Sequence, residues 1–278
     1  MTAAAYLLRS VLVRTVLGDE LRLPRAAAMT SRNVTLARSA KAYGVLLVSG
    51  FAEPVFYLLS IGWGVGALIG AMTLADGRQV SYLSYVAPAL LASSAMGGAL
   101  AETTTNFFGK LHYQRQYEAV LNTPLTPGDV AFGELGWGML RGCLYSAAFL
   151  AVMVAAGATT PVRALAALPV AVLVGLAFGG LGMAISSFMR SWQDIDYILG
   201  VQFALFLFSA TFVPLRAYPA GLQAVVRLTP LYQGVQLLRG ITLGYPSWSL
   251  LGNAGYLVAL ALVTMAIAVR RIRRLFRT

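Results

Sequence analysis

An all-α integral membrane protein is the fold class this chain predicts, and three observations carry that expectation. Of its 278 residues, 58% are hydrophobic and only 11% charged, far below the roughly one quarter charged in soluble domains. Mean hydropathy is +0.73, and apolar runs of about twenty residues recur, the length that crosses a bilayer core as a helix. Those runs are continuous and not alternating, which argues against a β-barrel. Six transmembrane helices in one domain are expected, with an interfacial helix before them and short helices ahead of the last.

Residues 1–31 are basic and mixed in polarity, without the apolar core or small-residue cleavage site of a signal peptide. They are expected to stay as a cytoplasmic leader. Residues 32–52 carry Arg32, Arg38 and Lys41 before turning apolar, the pattern of a helix lying in the interface with its basic side toward the headgroups. Glu53 and Pro54 mark a helix start. Span one follows over 54–73, where Gly62, Gly66 and Gly70 recur every four residues as a packing stripe. A short outer turn at Asp76, Gly77 and Arg78 leads to span two, about 82–108.

The segment 110–123 is the one internal place where polar, helix-forming sequence interrupts the hydrophobic material. Lys110, Gln114, Arg115 and Glu118 are polar, while Leu111, Tyr117, Val120 and Leu121 form a face that rests on a greasy surface. Pro124 ends it. Thr126 then caps a new helix, with Pro127 in the first position and Asp129 completing a capping box. Span three covers about 128–156 and span four about 164–189, with Gly175, Gly179 and Gly182 as a second stripe. A tight inner turn precedes span five, about 197–213. Residues 214–246 are too polar and proline-broken to span. Yet Leu222, Val225 and Val226, then Leu231, Val235 and Leu238, fall at helical spacing, so two short helices dipping into the outer face are expected. Span six, about 248–269, stops at Arg270, Arg271, Arg273 and Arg274.

Charge tests this layout. Of 21 Lys and Arg, fifteen fall on the assigned inner side and five outside, with Arg141 inside a span. That bias places both termini in the cytoplasm. It also makes the net charge of +11 a matter of topology and not of nucleic-acid binding. Three of the five outer arginines, Arg216, Arg227 and Arg239, sit in 214–246 and need another explanation.

Several chemistries drop out. Cys143 and His112 are the sole cysteine and histidine, which removes disulfides, cysteine metal sites and Ser/His triads. No phosphate-binding loop occurs, and Lys41 and Lys110 are the only lysines. Ion-driven transport needs more intramembrane acids than this chain holds. If ATP drives it, another polypeptide hydrolyses the ATP. The helix 110–123 then has a use, as a docking surface for a moving partner domain, with Arg115, Gln116, Tyr117, Glu118 and Leu121 as its contact set. Glu102, Glu134 and Arg141 are ionisable groups in or near the membrane. They line the inner mouth of a translocation route, or one of the two acids pairs with Arg141 to fix spans two and three together. A partner-free channel or secondary carrier, and a structural scaffold, are the rival classes.

Three stretches carry a family resemblance: FAEPVFYLLSIGWGVG at 51–66, YEAVLNTPLTPGDVAFGE at 117–134 and FVPLRAYPAGLQAVVRLTPLYQGVQLLRG at 212–240. They resemble the ABC exporter permeases of the type-2 class, in particular nodulation-type lipo-oligosaccharide permeases and, a step further away, daunorubicin-type drug permeases. The resemblance implies a bacterial inner-membrane exporter of two permease subunits and two ATP-binding subunits. ATP and Mg would sit on the partner, with no cofactor on this chain. It also implies that 32–52 is the elbow, 110–123 the coupling helix and 214–240 the re-entrant outer helices, with Phe212, Pro214, Arg216, Pro230 and Arg239 as the outer gate. The family usually has a Ser/Gly pair before the outer phenylalanine-proline motif. Here Ser209 is followed by Ala210.

Overall fold

The computed structural model describes residues 23–39, 52, 55–74, 77–113, 117, 120, 122–245 and 247–275. The chain is mostly helical. The first described helix, α1 (Leu23–Ser39), runs straight through the 31/32 boundary expected between leader and elbow. The rest of the expected elbow, 40–51, lies outside the described residues, as do four of the five docking contacts: Arg115, Gln116, Glu118 and Leu121.

Next comes α2 (Val55–Ile69), which winds into wider π turns at Ser60–Val65. A two-stranded antiparallel hairpin follows, β1 (Ala71–Thr73) paired with β2 (Gln79–Ser81), Met72 opposite Val80. Gly77 takes its tight end with φ 83°. Then come α3 (Tyr82–Leu111), α4 (Pro127–Ala155), α5 (Pro161–Ser186) and α6 (Gln193–Phe208). Two short helices, α7 (Ala220–Leu228) and α8 (Pro230–Thr242), precede α9 (Ser249–Leu275).

Four of these, α3, α4, α5 and α9, are long and apolar enough to cross a membrane. The six expected crossings therefore become four such helices and two shorter ones. At about 1.5 Å per residue, α2 and α6 each reach only about 22–24 Å, against about 30 Å of hydrocarbon. The arginines at 270–274 do not end the last helix, which continues to Leu275.

Local chemistry explains most boundaries. Thr126 accepts from the Asp129 amide (3.2 Å), and Asp129 accepts from the Thr126 amide (3.0 Å), a complete capping box. Thr160 and Pro161 open α5, and Thr229 and Pro230 open α8, each with proline in the first turn, where a missing N–H costs nothing.

Helix α5 is the hub, packing on α3, α4, α8 and α9. Its glycines make that possible. A Cβ at Gly179 would sit 2.7 Å from Leu135, and one at Gly182 would collide with Thr103. Gly180 faces the other way, onto Thr264 and the Ala261 carbonyl of α9. The span-one stripe works only in part: Gly62 abuts Leu83, but nothing lies within 4 Å of a Cβ at Gly70. Helix α1 lies against α4, where Gly133 admits Met29 and Thr30 donates to the Gly133 carbonyl (3.0 Å).

Candidate functional site

At one end of the bundle two ion pairs join α3 and its extension to α4. After Ala101, α3 widens into π turns at Glu102–Asn106 and Gly109–Tyr113. Thr103 and Thr104 donate to the Ala99 and Leu100 carbonyls (2.8 and 2.6 Å), satisfying acceptors that the wide turn loosens. Glu102, turned inward there, pairs with Arg141 of α4. Gly138 lets the helices close, since a Cβ there would lie 3.3 Å from that of Glu102. The Arg141 guanidinium sits between the rings of Trp137 and Tyr145, 5.9 and 5.5 Å from their centroids. Among the described residues it is Glu102, and not Glu134, that Arg141 engages.

Glu134 has another partner. Lys110 Nζ lies 2.6 Å from its Oε2, and the carboxylate side chain is only 3% exposed. Nothing local in the sequence signals this contact across 24 residues and a proline-broken loop. Tyr117 completes the cluster. The contact set read from sequence placed it on a docking surface. In the structure its ring is 1% exposed, tilted against Phe107 at 5.4 Å, in one cluster with Leu111 and Val120. That is the greasy face its spacing indicated. Its hydroxyl and Glu134 Oε1 are both buried with no hydrogen-bond partner among the described residues. Burial first, and then the facing Glu134 carboxylate, hold the Tyr117 phenol far above its ordinary pKa.

Between α3 and α6 lies a cavity of about 570 Å³. Ser93, Ser94, Thr105 and Gln202 supply polar groups, with Tyr57 and Phe203 on its apolar side. This mixture suits an amphipathic occupant.

At the opposite end the expected gate residues divide. Pro214, Arg216 and Arg239 line a second cavity of about 380 Å³. Phe212 and Pro230 do not line it. Phe212 stands edge-on to Phe206 at 5.3 Å, while its carbonyl accepts from the Tyr82 hydroxyl (3.4 Å), and Pro230 opens α8. Arg216 donates to the Thr73 carbonyl (3.2 Å). Arg239 is 2% exposed and stacks 3.8 Å from the Tyr85 ring centroid. It donates through Nε to the Tyr85 carbonyl (3.0 Å) and through Nη2 to those of Ala210 (2.8 Å) and Thr211 (3.1 Å). Sequence reading grouped Arg239 with the gate, but it missed Tyr85 as its platform. Ala210 is the sole non-glycine described residue at positive φ, 56°, at the position where the resemblance leads one to expect glycine.

Comparison with known proteins identifies the family. The profile of the ABC-2 family transporter protein matches residues 69–270. Nodulation protein J of Rhizobium leguminosarum bv. trifolii is 34% identical over 233 residues, covering 82% of this chain and 86% of that protein. Nodulation protein J of Rhizobium meliloti (strain 1021) is 33% identical over 230 residues, with the same coverage. The inner membrane transport permease YadH of Escherichia coli (strain K12) is 26% identical over 205 residues, 72% of this chain and 75% of its own. The chain belongs to the ABC-2 transporter family, as a multi-pass membrane permease.

Proposed function

We propose that this chain is the permease subunit of an ATP-driven exporter that moves a lipid-linked saccharide, lipid or amphipathic drug outward across the bacterial plasma membrane. The observation that carries the reading is the Lys110–Glu134 pair, which ties the connector after α3 to the start of α4. A push on the connector is thereby passed to two helices at once, and Glu102–Arg141 makes them tilt together. Because the sequence holds no phosphate-binding loop, the push comes from a separate ATP-binding subunit that carries ATP and Mg. The names of the relatives, one of them an inner membrane transport permease, support the location. The lipo-oligosaccharide resemblance supports the cargo class.

Cargo enters the cavity between α3 and α6, where hydroxyl groups meet its polar part and aromatic rings its chain. A second permease copy completes that cavity. Helix α6 is apolar, yet Ile195 is its only buried residue, so lipid and a second copy cover the rest. Helices α2 and α6, shorter than the hydrocarbon core, complete six crossings by local thinning of the bilayer around them, with both termini inside and α7 and α8 forming the re-entrant outer gate.

Co-purification tests the reading. The full chain, expressed in its own host and purified from its membranes, is expected to bring an ATP-binding subunit down with it. Replacing Arg115 and Glu118 with alanine is expected to release it. Export that persists when the ATPase is inactivated would overturn the proposal in favour of a partner-free channel or secondary carrier.

A further inference from the structure

Arg216, Arg227 and Arg239 have no topological reason to lie where they do, and among the described residues none of them has a carboxylate partner. All three line the 380 Å³ cavity bounded by the β1 end of the hairpin, the start of α3, and helices α7 and α8. No described lining residue is an Asp or Glu. Like charges gathered on a concave, low-dielectric wall repel one another and focus positive potential into the space between them. An anion placed in that space offsets the repulsion.

The geometry is built and not incidental. Arg239 is fixed by three carbonyls and by Tyr85, and Arg216 is tethered to the Thr73 carbonyl. Arg227 is exposed and makes no ion pair among the described residues. Two held cations and a third at the rim suit an anion with several equivalent oxygens: Arg239, whose Nε and Nη2 already serve carbonyls, contributes chiefly its charge, and exposed Arg227 presents a fork. Beside them Gln223, Gln236 and Tyr232 offer neutral donors and acceptors, the chemistry that hydroxyl groups of a sugar require.

We infer that this cavity is an anion-binding site for the phosphate, sulfate or carboxylate headgroup of an amphiphile, with room beside the charge for a saccharide. Its placement on the outer face rests on the exporter reading. The anion chemistry rests on the residues alone.

The test uses the full-length chain, purified in a neutral detergent and titrated with decyl phosphate and with decyl maltoside. Decyl phosphate is expected to bind at least about tenfold more tightly, with the preference shrinking at high salt. Arg227→Gln and Arg216→Gln are each expected to weaken decyl phosphate about tenfold, the worth of one charge-assisted contact, and to leave decyl maltoside unchanged. Arg163→Gln, at an exposed arginine outside the cavity, is expected to change neither. Asp76 lies outside the described residues, and Asp76→Asn is expected to leave decyl phosphate binding no weaker. Competition by inorganic phosphate would assign the binding to the headgroup alone. Competition by phosphatidylglycerol and not by phosphatidylcholine would assign the resident occupant to membrane lipid. Equal binding of the two decyl compounds, or a normal response in well-folded Arg227→Gln, overturns the inference. Because binding is read on this chain by itself, a failed ATPase co-purification sinks the exporter reading and leaves this site standing.

Discussion

Ala210 and Arg141 show how much can hang on a single side chain. A non-glycine residue at φ 56° pays about 1–2 kcal/mol for its Cβ. Arg239 holds Ala210 there through its carbonyl. Ala210→Gly relieves the contact at some cost in unfolded-chain entropy, so the expected gain is about 0.5–1 kcal/mol, read as a higher unfolding midpoint in detergent. Arg141→Met acts in the opposite direction. It strands Glu102, whose side chain is 6% exposed, and is expected to destabilise by about 3 kcal/mol. Adding Glu102→Gln removes the stranded charge and is expected to recover most of that loss. A double variant that is stable and still exports would make the pair structural, and one that is stable but inactive would put it on the cargo route.

Elements fail differently, through their packing faces. Gly182→Val places a side chain where Thr103, Leu100 and Thr104 already stand, and overpacking of this kind costs about 1–3 kcal/mol. A lower unfolding midpoint together with weaker protection of the α3–α5 contact from proteolysis is the expected result. The turn before α6 has a pH signature. Asp194 Oδ2 accepts from the backbone amides of Arg190 (2.7 Å) and Ser191 (3.1 Å), and these bonds hold its pKa below the ordinary carboxylate value. A depressed folded pKa means the contribution is fully present above the unfolded value and is lost as pH falls through the folded one. Asp194→Asn is therefore expected to flatten that acid-side loss by giving up the charge-assisted contribution at neutral pH, with little change at acid pH. What was legible in the sequence belongs to this scale. The box at Thr126 and Asp129, the glycines facing Leu135 and Thr103, and the two short helices at 220–242 all follow from spacing within one segment. Lys110 with Glu134, and Arg239 on Tyr85, do not, because each joins residues whose separation is set by how whole helices pack. Tyr117 was legible twice over, and its apolar spacing was the better guide than its place in a docking motif.

For the molecule as a whole, one chain leaves α6 with an uncovered apolar side: Tyr197, Val201 and Phe203 are each at least 60% exposed. Cys143 is the only cysteine, so a Cys143→Ala background carrying Phe203→Cys is a clean probe. Copy-to-copy disulfide capture in membranes is expected, and its absence alongside normal export would remove the second copy from this face. The wide turn at Glu102–Asn106 has its own consequence at this scale. It gives the long helix a spare link. Were that link to migrate past Lys110, everything it passed would screw forward by about 1.5 Å and around by about 100°, swinging the ammonium off Glu134. The helix could thus change gear at its base while its upper turns, buried from Tyr85 to Ala92, stay seated. Faster amide exchange at 102–106 than at 86–92 would be the mark of that slack.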